Sequence, residues 1–215
     1  MYKELLMQYE RLTDEEKAVL LLYKTNLGLL LNNLSNNCDY ESNYIRLCNL
    51  LRVYEELPDE LQIFSLIRLD SLAGFRESLY GAKRLLDVVS TKMTAPECIS
   101  VYRAVSSDRS IDRIARGNII STSLDFGATL KYAVGGDNIS IYEIEIKPGS
   151  RLAFIPKCEE LKEKYKELFK DITSDEEEII LNNDIYNFEI TNEYDNDSFK
   201  YIKVSATDIK NKTRI

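Results

Sequence analysis

Histidine is absent from this chain of 215 residues, and that absence excludes several reaction mechanisms. Ser-His-Asp and Cys-His catalysis, zinc bound by histidine and general bases built on imidazole all require it. Any acid–base chemistry must therefore use carboxylates, tyrosine, lysine or cysteine. The cysteines lie far apart and form no CxxC pair, so neither a zinc site nor a disulfide framework is predicted. They are Cys38, Cys48, Cys98 and Cys158.

Glycine and proline are also scarce, with eight and four residues. The chain contains neither GxGxxG nor GxxxxGKS/T, so the usual glycine-rich phosphate loops are missing and a bound nucleotide would need another anion-binding group. No stretch approaches the ~18 apolar residues of a membrane span, and residues 1–17 lack the basic and then apolar layout of a secretory signal. We expect a protein that is cytosolic where it is made, and we leave open its secretion or delivery into a host cell by separate machinery.

The charge balance argues against nucleic acid as a partner. With 36 acidic and 28 basic residues the net charge is −8, whereas nucleic-acid binding needs lysine and arginine to displace phosphate counterions. A hydrophobic content of 44%, without low-complexity segments, is typical of a globular protein. The length fits one domain, so we predict a single domain over residues 1–215.

Helical patterns occupy residues 1–97. Thr13 lies three residues before Glu16, as in a capping box, and the apolar residues that follow recur at helical spacing. The second helical pattern is expected to stop at Pro58, because proline cannot continue a helix. Four helices are predicted, beginning near residues 13, 39, 59 and 70.

Past Pro96 the apolar period changes to two, which is typical of β-strands. Seven short segments are rich in β-branched and aromatic residues and are separated by turn formers. They begin near residues 98, 118, 138, 151, 176, 185 and 199. Helical pieces over about 125–134 and 157–170 interrupt them. Helices first and strands later predict an α+β fold.

Arg103 lies in the first of these strand segments. Alternation puts it on the same face as Ile99, Val101 and Val105, so that a guanidinium projects from an apolar stripe. A guanidinium in such a place needs an anion. Two interpretations stay open: a buried pair with a carboxylate of the fold, or a bond to the phosphate or carboxylate of a ligand.

Two further segments carry polar side chains at strand positions. Ser121 and Ser123 share one face of the second predicted strand, where small hydroxyls let a ligand approach closely, although such residues are also common in ordinary strands and turns. In the acidic run 174–184, a strand would put Glu176 and Glu178 on one face, about 6.5 to 7 Å apart at Cα. Two carboxylates facing one cleft suit a general base or an electrostatic stabiliser. The alternative is a solvated acidic loop.

The order of these segments resembles the signature of a known enzyme family. Arg103 in VYRAV, Ser-Thr-Ser at 121–123 before a helix, and Glu-x-Glu at 176–178 follow the order found in the mono-ADP-ribosyltransferase exoenzymes. This group includes clostridial and bacillar actin- and Rho-modifying toxins. The first helical pattern is also similar to that family's first helix, so the resemblance spans about 12–205.

This resemblance implies a fold and an activity. The fold would be a helical part, 1–97, packed on a core of two antiparallel sheets, 98–215, with NAD in the cleft between the sheets. The activity would be transfer of ADP-ribose from NAD to an arginine of a target protein, with release of nicotinamide and without a metal. Family members with Glu at the first acid position usually modify arginine. Hydrolysis of NAD by water and a non-catalytic binding module are the alternatives.

The resemblance also implies roles for individual residues. Arg103 would bind a phosphate of NAD. Ser121 would position the nicotinamide side and bond to Glu178, the acid that stabilises a ribosyl cation as in glycoside cleavage. Glu176 would orient and deprotonate the incoming guanidinium. The residues supporting the strand around Ser121 would be Thr122 and Ser123.

Three features bear on how closely the chain follows the family. The position three residues before the first acid, often aromatic in members that choose protein targets, is Thr173, and the nearest aromatic is Phe169. The helical piece 157–170 is a longer insertion than expected, compatible with a partner-binding surface or with a lid over NAD. After the turn at KPGS, Arg151 and Phe154 lie where the family has a loop that contacts phosphate and nicotinamide. A turn followed by a packed phenylalanine is the alternative.

Overall fold

In the computed structural model of the protein, the chain divides into two compact units. The sheet unit contains residues 1–10, 90–156 and 176–215, and the helical unit contains residues 11–89 and 157–175. Each unit is therefore assembled from separate stretches of the chain. The residues that the structure describes are 1–32, 34, 39–106, 119–133, 139–169, 177–195 and 199–209.

The elements follow the predicted sequence of helices and then strands. The helices are α1 (Tyr2–Glu10), α2 (Asp14–Lys24), α3 (Gly28–Asn32), α4 (Tyr40–Leu51), α5 (Leu72–Val89), α6 (Phe126–Ala133) and α7 (Glu159–Lys164), with 3₁₀ helices at Asp59–Leu66 and Asn183–Ile185. The strands are β1 (Met93–Thr94), β2 (Ile99–Ser106), β3 (Ile119–Ser123), β4 (Ile139–Ile146), β5 (Arg151–Ile155), β6 (Glu178–Asn182), β7 (Tyr186–Asp195) and β8 (Lys200–Asp208).

The helical unit begins with the capping box, as predicted. The backbone N–H of Glu16 donates to Oγ1 of Thr13 (3.3 Å), and the backbone N–H of Thr13 donates to the Glu16 carboxylate (3.0 Å). Helix α2 ends at Lys24 because Thr25 is extended, with φ −79° and ψ 176°. The hydroxyl of Thr25 donates to the carbonyl of Leu22 (2.7 Å), so it bonds to one of the last helical carbonyls.

Two predictions for residues 1–97 are corrected by the structure. The second helix ends at Leu51, well before Pro58, because the chain turns before it reaches the proline. The region is also not entirely helical, since Met93 and Thr94 form β1 and pair with β5. A two-residue strand has too few positions to show alternation in the sequence.

The eight strands form one mixed sheet, in the order β1-β5-β6-β3-β2-β4-β8-β7. Its neighbouring strands are antiparallel except β4 and β8, which run parallel. The α+β class is therefore confirmed, but the prediction of two antiparallel sheets is not. Alternation identifies a strand without identifying its neighbours, which contacts between distant segments decide.

The sheet has two halves that are joined at a narrow point. We call β1, β5, β6 and β3 the first half, and β2, β4, β8 and β7 the second half. Within the described residues, β2 and β3 share one registered pair, Tyr102 with Ser123. By contrast, β2 pairs with β4 from Ile99 to Ser106. The ladder between the halves thus stops after one pair, and the two backbones separate there.

The sheet unit is completed by α1. The ring of Tyr2 packs edge-on against Phe154, with centroids 5.6 Å apart. Gln8 exchanges two hydrogen bonds with the backbone of Thr94, at 2.9 and 2.8 Å. Buried apolar side chains of this unit include Ile99, Val101, Ile144, Ile146, Leu152, Val204 and Ala206.

Within the described part of the chain, no helix is long and apolar enough to cross a membrane.

Candidate active site

Arg103 lies on β2 immediately after the pair that joins the two halves. The strand buries Ile99 and Val101 on the same face, while Arg103 is only partly buried. Its Nη1 donates to the carbonyl oxygen of Ser121 on β3, at 2.5 Å. A side chain therefore bonds to a β3 carbonyl at the point where the backbone ladder between β2 and β3 has ended. The guanidinium lies where the two strands diverge.

Ser121 also bonds to the candidate acid. Its Oγ donates to Oε2 of Glu178 at 2.9 Å. Glu178 begins β6, which lies between β3 and β5, and it is 1% exposed. Ser121 thus contacts Arg103 through its carbonyl and Glu178 through its hydroxyl. Arg103 and Glu178 are 178 − 103 = 75 residues apart in the sequence, and both bond to Ser121.

The other two hydroxyls of the Ser-Thr-Ser segment bond within the protein. Oγ1 of Thr122 donates to the carbonyl of Ile179 at 2.8 Å, and this threonine is buried. Oγ of Ser123 accepts from the backbone N–H of Asp125 at 3.0 Å, just before α6 begins. These bonds hold β3 against β6 and fix the turn from β3 into α6.

Arg151 and Phe154, which were predicted to contact NAD, also have partners within the protein. Arg151 makes a bidentate ion pair with Asp208, at 2.7 and 2.6 Å. Phe154 is 0% exposed, and the ring of Tyr2 packs against it. Gly149 precedes them at φ +77°, a conformation that suits glycine in a tight turn. A turn followed by a packed phenylalanine is thus observed, and contact of Arg151 and Phe154 with NAD remains a prediction.

Of the Glu-x-Glu motif at 176–178, the structure describes Glu177 and Glu178. Glu176 and Thr173 lie outside the described residues. Within the described residues the strand begins at Glu178, and just before it the carbonyl of Glu177 accepts from the backbone N–H of Leu124 at 3.2 Å. The prediction that Glu176 and Glu178 share one face remains a prediction.

The insertion over 157–170 packs within the helical unit. Its polar contacts include Lys164 with Glu60 (2.6 Å) and the side chain of Asn26 with the carbonyl of Glu167 (2.9 Å). Phe169 pairs with Thr25 as an isolated β-bridge. Its buried side chains are Cys158, Tyr165, Leu168 and Phe169. The described part of the insertion is thus anchored by its own hydrophobic contacts, a role that its helical pattern alone did not reveal.

A second polar cluster, not identified from the sequence, surrounds Glu143 on β4. Its carboxylate accepts from the hydroxyls of Tyr201 (2.7 Å) and Ser100 (3.2 Å) and pairs with Lys203 (3.0 Å). Burial raises the pKa of Glu143, but these three donors outweigh it and hold the pKa below its usual value. Burial and the adjacent carboxylate raise the pKa of Tyr201. The alternation of ISIYEIEI places Glu143 on a strand face, but nothing local indicates its partners.

Solved structures with a similar fold exist, although comparison of the sequence with known families finds no match. No family model matches the chain, and no curated protein sequence matches it. Among solved structures, C3stau2 from S. aureus, solved with NAD, is 15% identical with a TM-score of 0.53, over 96% of this chain and 92% of that chain. Plx2a, an ADP-ribosyltransferase toxin from Paenibacillus larvae, is 17% identical with a TM-score of 0.50, over 95% and 90%.

A third structure resembles this chain over part of its own length. BECa, the ADP-ribosylating toxin of a binary enterotoxin of C. perfringens, was solved with NADH. It is 9% identical with a TM-score of 0.52, over 96% of this chain and 45% of that chain. Its similarity to this chain, like that of the other two, lies in the fold. The chain therefore has the fold of ADP-ribosyltransferase toxins.

Proposed function

We propose that this protein is an NAD-dependent mono-ADP-ribosyltransferase that modifies an arginine of a target protein. The observation that carries the proposal is the junction at Ser121, which bonds to both Arg103 and the buried acid Glu178. This junction lies on the fold of toxins whose structures were solved with NAD or NADH. The proposed place for NAD is where β2 and β3 diverge.

Arg103 is proposed to bind the diphosphate of NAD. The chain has a net charge of −8 and lacks the glycine-rich phosphate loops, so an anion needs a local cation. A guanidinium offers several N–H donors in a fixed planar fork, which matches the oxygens of a phosphate. One of these donors, Nη1, bonds to the carbonyl of Ser121.

Glu178 is proposed to stabilise the charge that develops on the ribose. The bond that breaks joins C1′ of the ribose to the nicotinamide nitrogen, and its electron pair leaves with nicotinamide. An oxocarbenium-like ribosyl cation remains, for which a carboxylate in a water-excluded site provides stabilisation. A nitrogen of the target guanidinium then bonds to C1′, and its proton passes to a carboxylate, Glu176 in this proposal. The reaction needs no histidine.

Labelled NAD tests this proposal directly. The full-length protein should transfer label to agmatine or to a protein of a target-cell lysate and release nicotinamide. Glu178→Gln should lower nicotinamide release by about 100-fold or more, on the order of 3 kcal/mol. The matched control is Glu189→Gln, an exposed glutamate of β7, which should leave the rate unchanged. Unimpaired release by Glu178→Gln would contradict the proposed role.

The same experiment separates the two alternative functions. An NAD glycohydrolase would release free ADP-ribose without labelling agmatine, because water takes the place of the guanidinium. In the proposed mechanism, Glu176→Gln abolishes transfer but spares hydrolysis. A binding module would show neither reaction, and calorimetry with NAD would then decide whether it binds the dinucleotide at all.

A further inference from the structure

Arg151 and Asp208 connect the two halves of the sheet away from the candidate active site. Arg151 begins β5 in the first half, and Asp208 ends β8 in the second half. Nε and Nη2 of the guanidinium donate to the two carboxylate oxygens at 2.7 and 2.6 Å, and the backbone N–H of Arg151 adds a bond of 3.2 Å. Four strands separate β5 from β8 in the sheet order. The sheet must therefore fold back on itself for this pair to form.

Tyr186 strengthens the same connection. It begins β7, directly opposite Asp208 in the β7–β8 ladder, and its hydroxyl donates to the carbonyl of Arg151 at 2.6 Å. Burial and the negative charge of Asp208 raise the pKa of Tyr186, so the phenol stays protonated as a donor. Asp208 is 2% exposed and the Arg151 side chain 18%. We call Arg151, Tyr186 and Asp208 the clamp.

The clamp and the candidate active site lie at opposite ends of the same strands. On β5, Arg151 is four residues from Ile155, which pairs with Glu178, a distance of about 13 Å along a strand. On β6, Glu178 is the first residue and Asn182 the last, and only the 3₁₀ helix Asn183–Ile185 separates Asn182 from Tyr186. The clamp therefore closes the end of the sheet unit that is remote from Glu178.

The residues of the candidate active site are themselves divided between the halves. Arg103 belongs to the second half, while Ser121 and Glu178 belong to the first half. Near the site, the backbone ladder between the halves consists of the single pair Tyr102–Ser123 among the described residues. One backbone pair is a narrow hinge, so side-chain contacts must set the angle between β2 and β3. Beside the hinge these are the Arg103–Ser121 bond and the ring of Phe126 in α6 against Tyr102, with centroids 5.3 Å apart; at the remote end it is the clamp.

We propose that the clamp sets this angle and thereby positions Arg103 relative to Glu178. A bidentate ion pair that is largely buried is directional and resists bending more than a single apolar contact does. In this proposal the clamp residues are positioning residues, which act through the hinge and not through a contact with NAD. The effect of the clamp on the hinge exists without ligand and does not depend on the proposed function. Its effect on NAD cleavage rests on the proposed function.

Kinetics of Asp208→Asn in the full-length protein test the proposal. Displacement of a binding group by about 1 Å can cost on the order of 100-fold in rate, so kcat/KM for NAD should fall by about 10- to 100-fold in folded protein. The matched control is Glu193→Gln, which breaks an ion pair with Lys200 inside the second half and should change kcat/KM by less than about twofold. Equal effects of the two variants would overturn the proposal.

A double-mutant cycle distinguishes positioning from a general loss of stability. If Asp208→Asn acts by displacing Arg103, then adding Arg103→Lys costs little more, and the two losses do not multiply. If the clamp is only structural, the losses in kcat/KM multiply. Should Asp208→Asn fail to fold, Tyr186→Phe, which removes one hydroxyl, replaces it in the same cycle. Multiplying losses in the cycle would refute the proposal.

Hydrogen exchange without NAD gives an independent measurement. In the clamp variant, backbone amides of residues 99–105 and 119–123 should exchange at least about tenfold faster than in Glu193→Gln, while the β4–β8 ladder stays protected. Unchanged exchange at residues 99–105 and 119–123 would refute the proposed role of the clamp, even if the protein cleaves NAD. A wild-type protein that cleaves no NAD would refute the proposed function. The exchange data would still test whether the clamp positions the two halves of the sheet.

Discussion

At the scale of single residues, Ser121 carries two separable contacts. Its hydroxyl donates to the buried carboxylate of Glu178, whereas its backbone carbonyl accepts from Arg103. A change of side chain removes the first contact and leaves the second. Substitution at this position can therefore separate the part of the site that is proposed to bind NAD from the part that is proposed to cleave it.

Ser121→Ala should lower kcat and leave the Kd for NAD nearly unchanged. A hydrogen bond to a charged group is worth about 1.5 to 3 kcal/mol, so we expect a fall in kcat of about 10- to 100-fold. Ser121→Thr keeps the hydroxyl and serves as the control, with a smaller loss. Nicotinamide release gives kcat and calorimetry gives Kd. A large rise in Kd with kcat intact would show that the hydroxyl serves binding and not cleavage.

Glu143 should make the stability of the protein depend on pH in the acid range. Its pKa is lowered in the folded protein by Tyr201, Lys203 and Ser100 despite burial. The stabilisation is therefore complete above the ordinary glutamate value of about 4.3 and is lost as the pH falls through the lowered pKa. Glu143→Gln should cost roughly 1 kcal/mol at pH 7, a figure that allows for solvent screening. Below that window it should cost nothing.

Thermal melts of wild type and Glu143→Gln between pH 7 and pH 2 measure this effect. The two Tm values should converge as the pH falls. Glu189→Gln, which replaces an exposed glutamate, is the control and should keep a constant, small difference from wild type. A gap between wild type and Glu143→Gln that persists at low pH would mean that packing, not charge, explains the role of this side chain.

At the scale of elements, local signals placed the starts of helices better than their ends. The predicted capping box at Thr13 is observed, and the helix predicted to begin near residue 39 begins at Tyr40, because capping depends on side chains within three residues of the helix start. Helix ends were less predictable. Helix α2 ends at Lys24 and helix α4 ends at Leu51, and neither end is marked by a proline or glycine in the next residue.

Thr13→Ala should destabilise α2 by about 1 kcal/mol. The substitution leaves the backbone N–H of Glu16 without its side-chain acceptor. Thr13→Ser retains the acceptor and should lie within a few tenths of a kcal/mol of wild type. Urea denaturation measures both values, and the m-value should not change. An unchanged midpoint for Thr13→Ala would mean that solvent replaces the cap fully at this exposed helix end.

At the scale of the whole molecule, neither unit is a continuous stretch of chain. The sheet unit needs α1, whose Tyr2 packs on Phe154 of β5. The helical unit needs the insertion, whose Lys164 pairs with Glu60. The boundary predicted between the helical part and the β part lies between residues 97 and 98. A cut there separates Tyr2 from Phe154 and Glu60 from Lys164.

A fragment of residues 98–215 should therefore fail to fold cooperatively. It would lack α1 and β1, and it would expose Tyr165, Leu168 and Phe169, which are buried in the full chain. Exposed apolar surface of this kind favours aggregation or a loosely packed state. Loss of near-ultraviolet dichroism with binding of a hydrophobic dye is the expected result. A sharp melting transition with intact NAD binding would show that the fragment folds without these contacts.

Several properties of this protein were determined by its sequence alone. The lack of histidine excludes imidazole chemistry whatever the fold, and the switch of apolar period near Pro96 predicts helices followed by strands. The inference about helices and strands succeeds because the apolar period reflects backbone geometry over a few residues. The order of Arg103, Ser-Thr-Ser and the Glu-x-Glu segment likewise led to a family whose fold the chain shares.

Only the tertiary structure decided how these segments meet. It joined Arg103 and Glu178 at Ser121, formed one mixed sheet where two antiparallel sheets were expected, and paired Arg151 with Asp208. The physical reason is that a charged side chain bonds to whichever opposite charge the fold brings near it. Arg151 and Asp208 are 208 − 151 = 57 residues apart, and no pattern within either segment specifies the other.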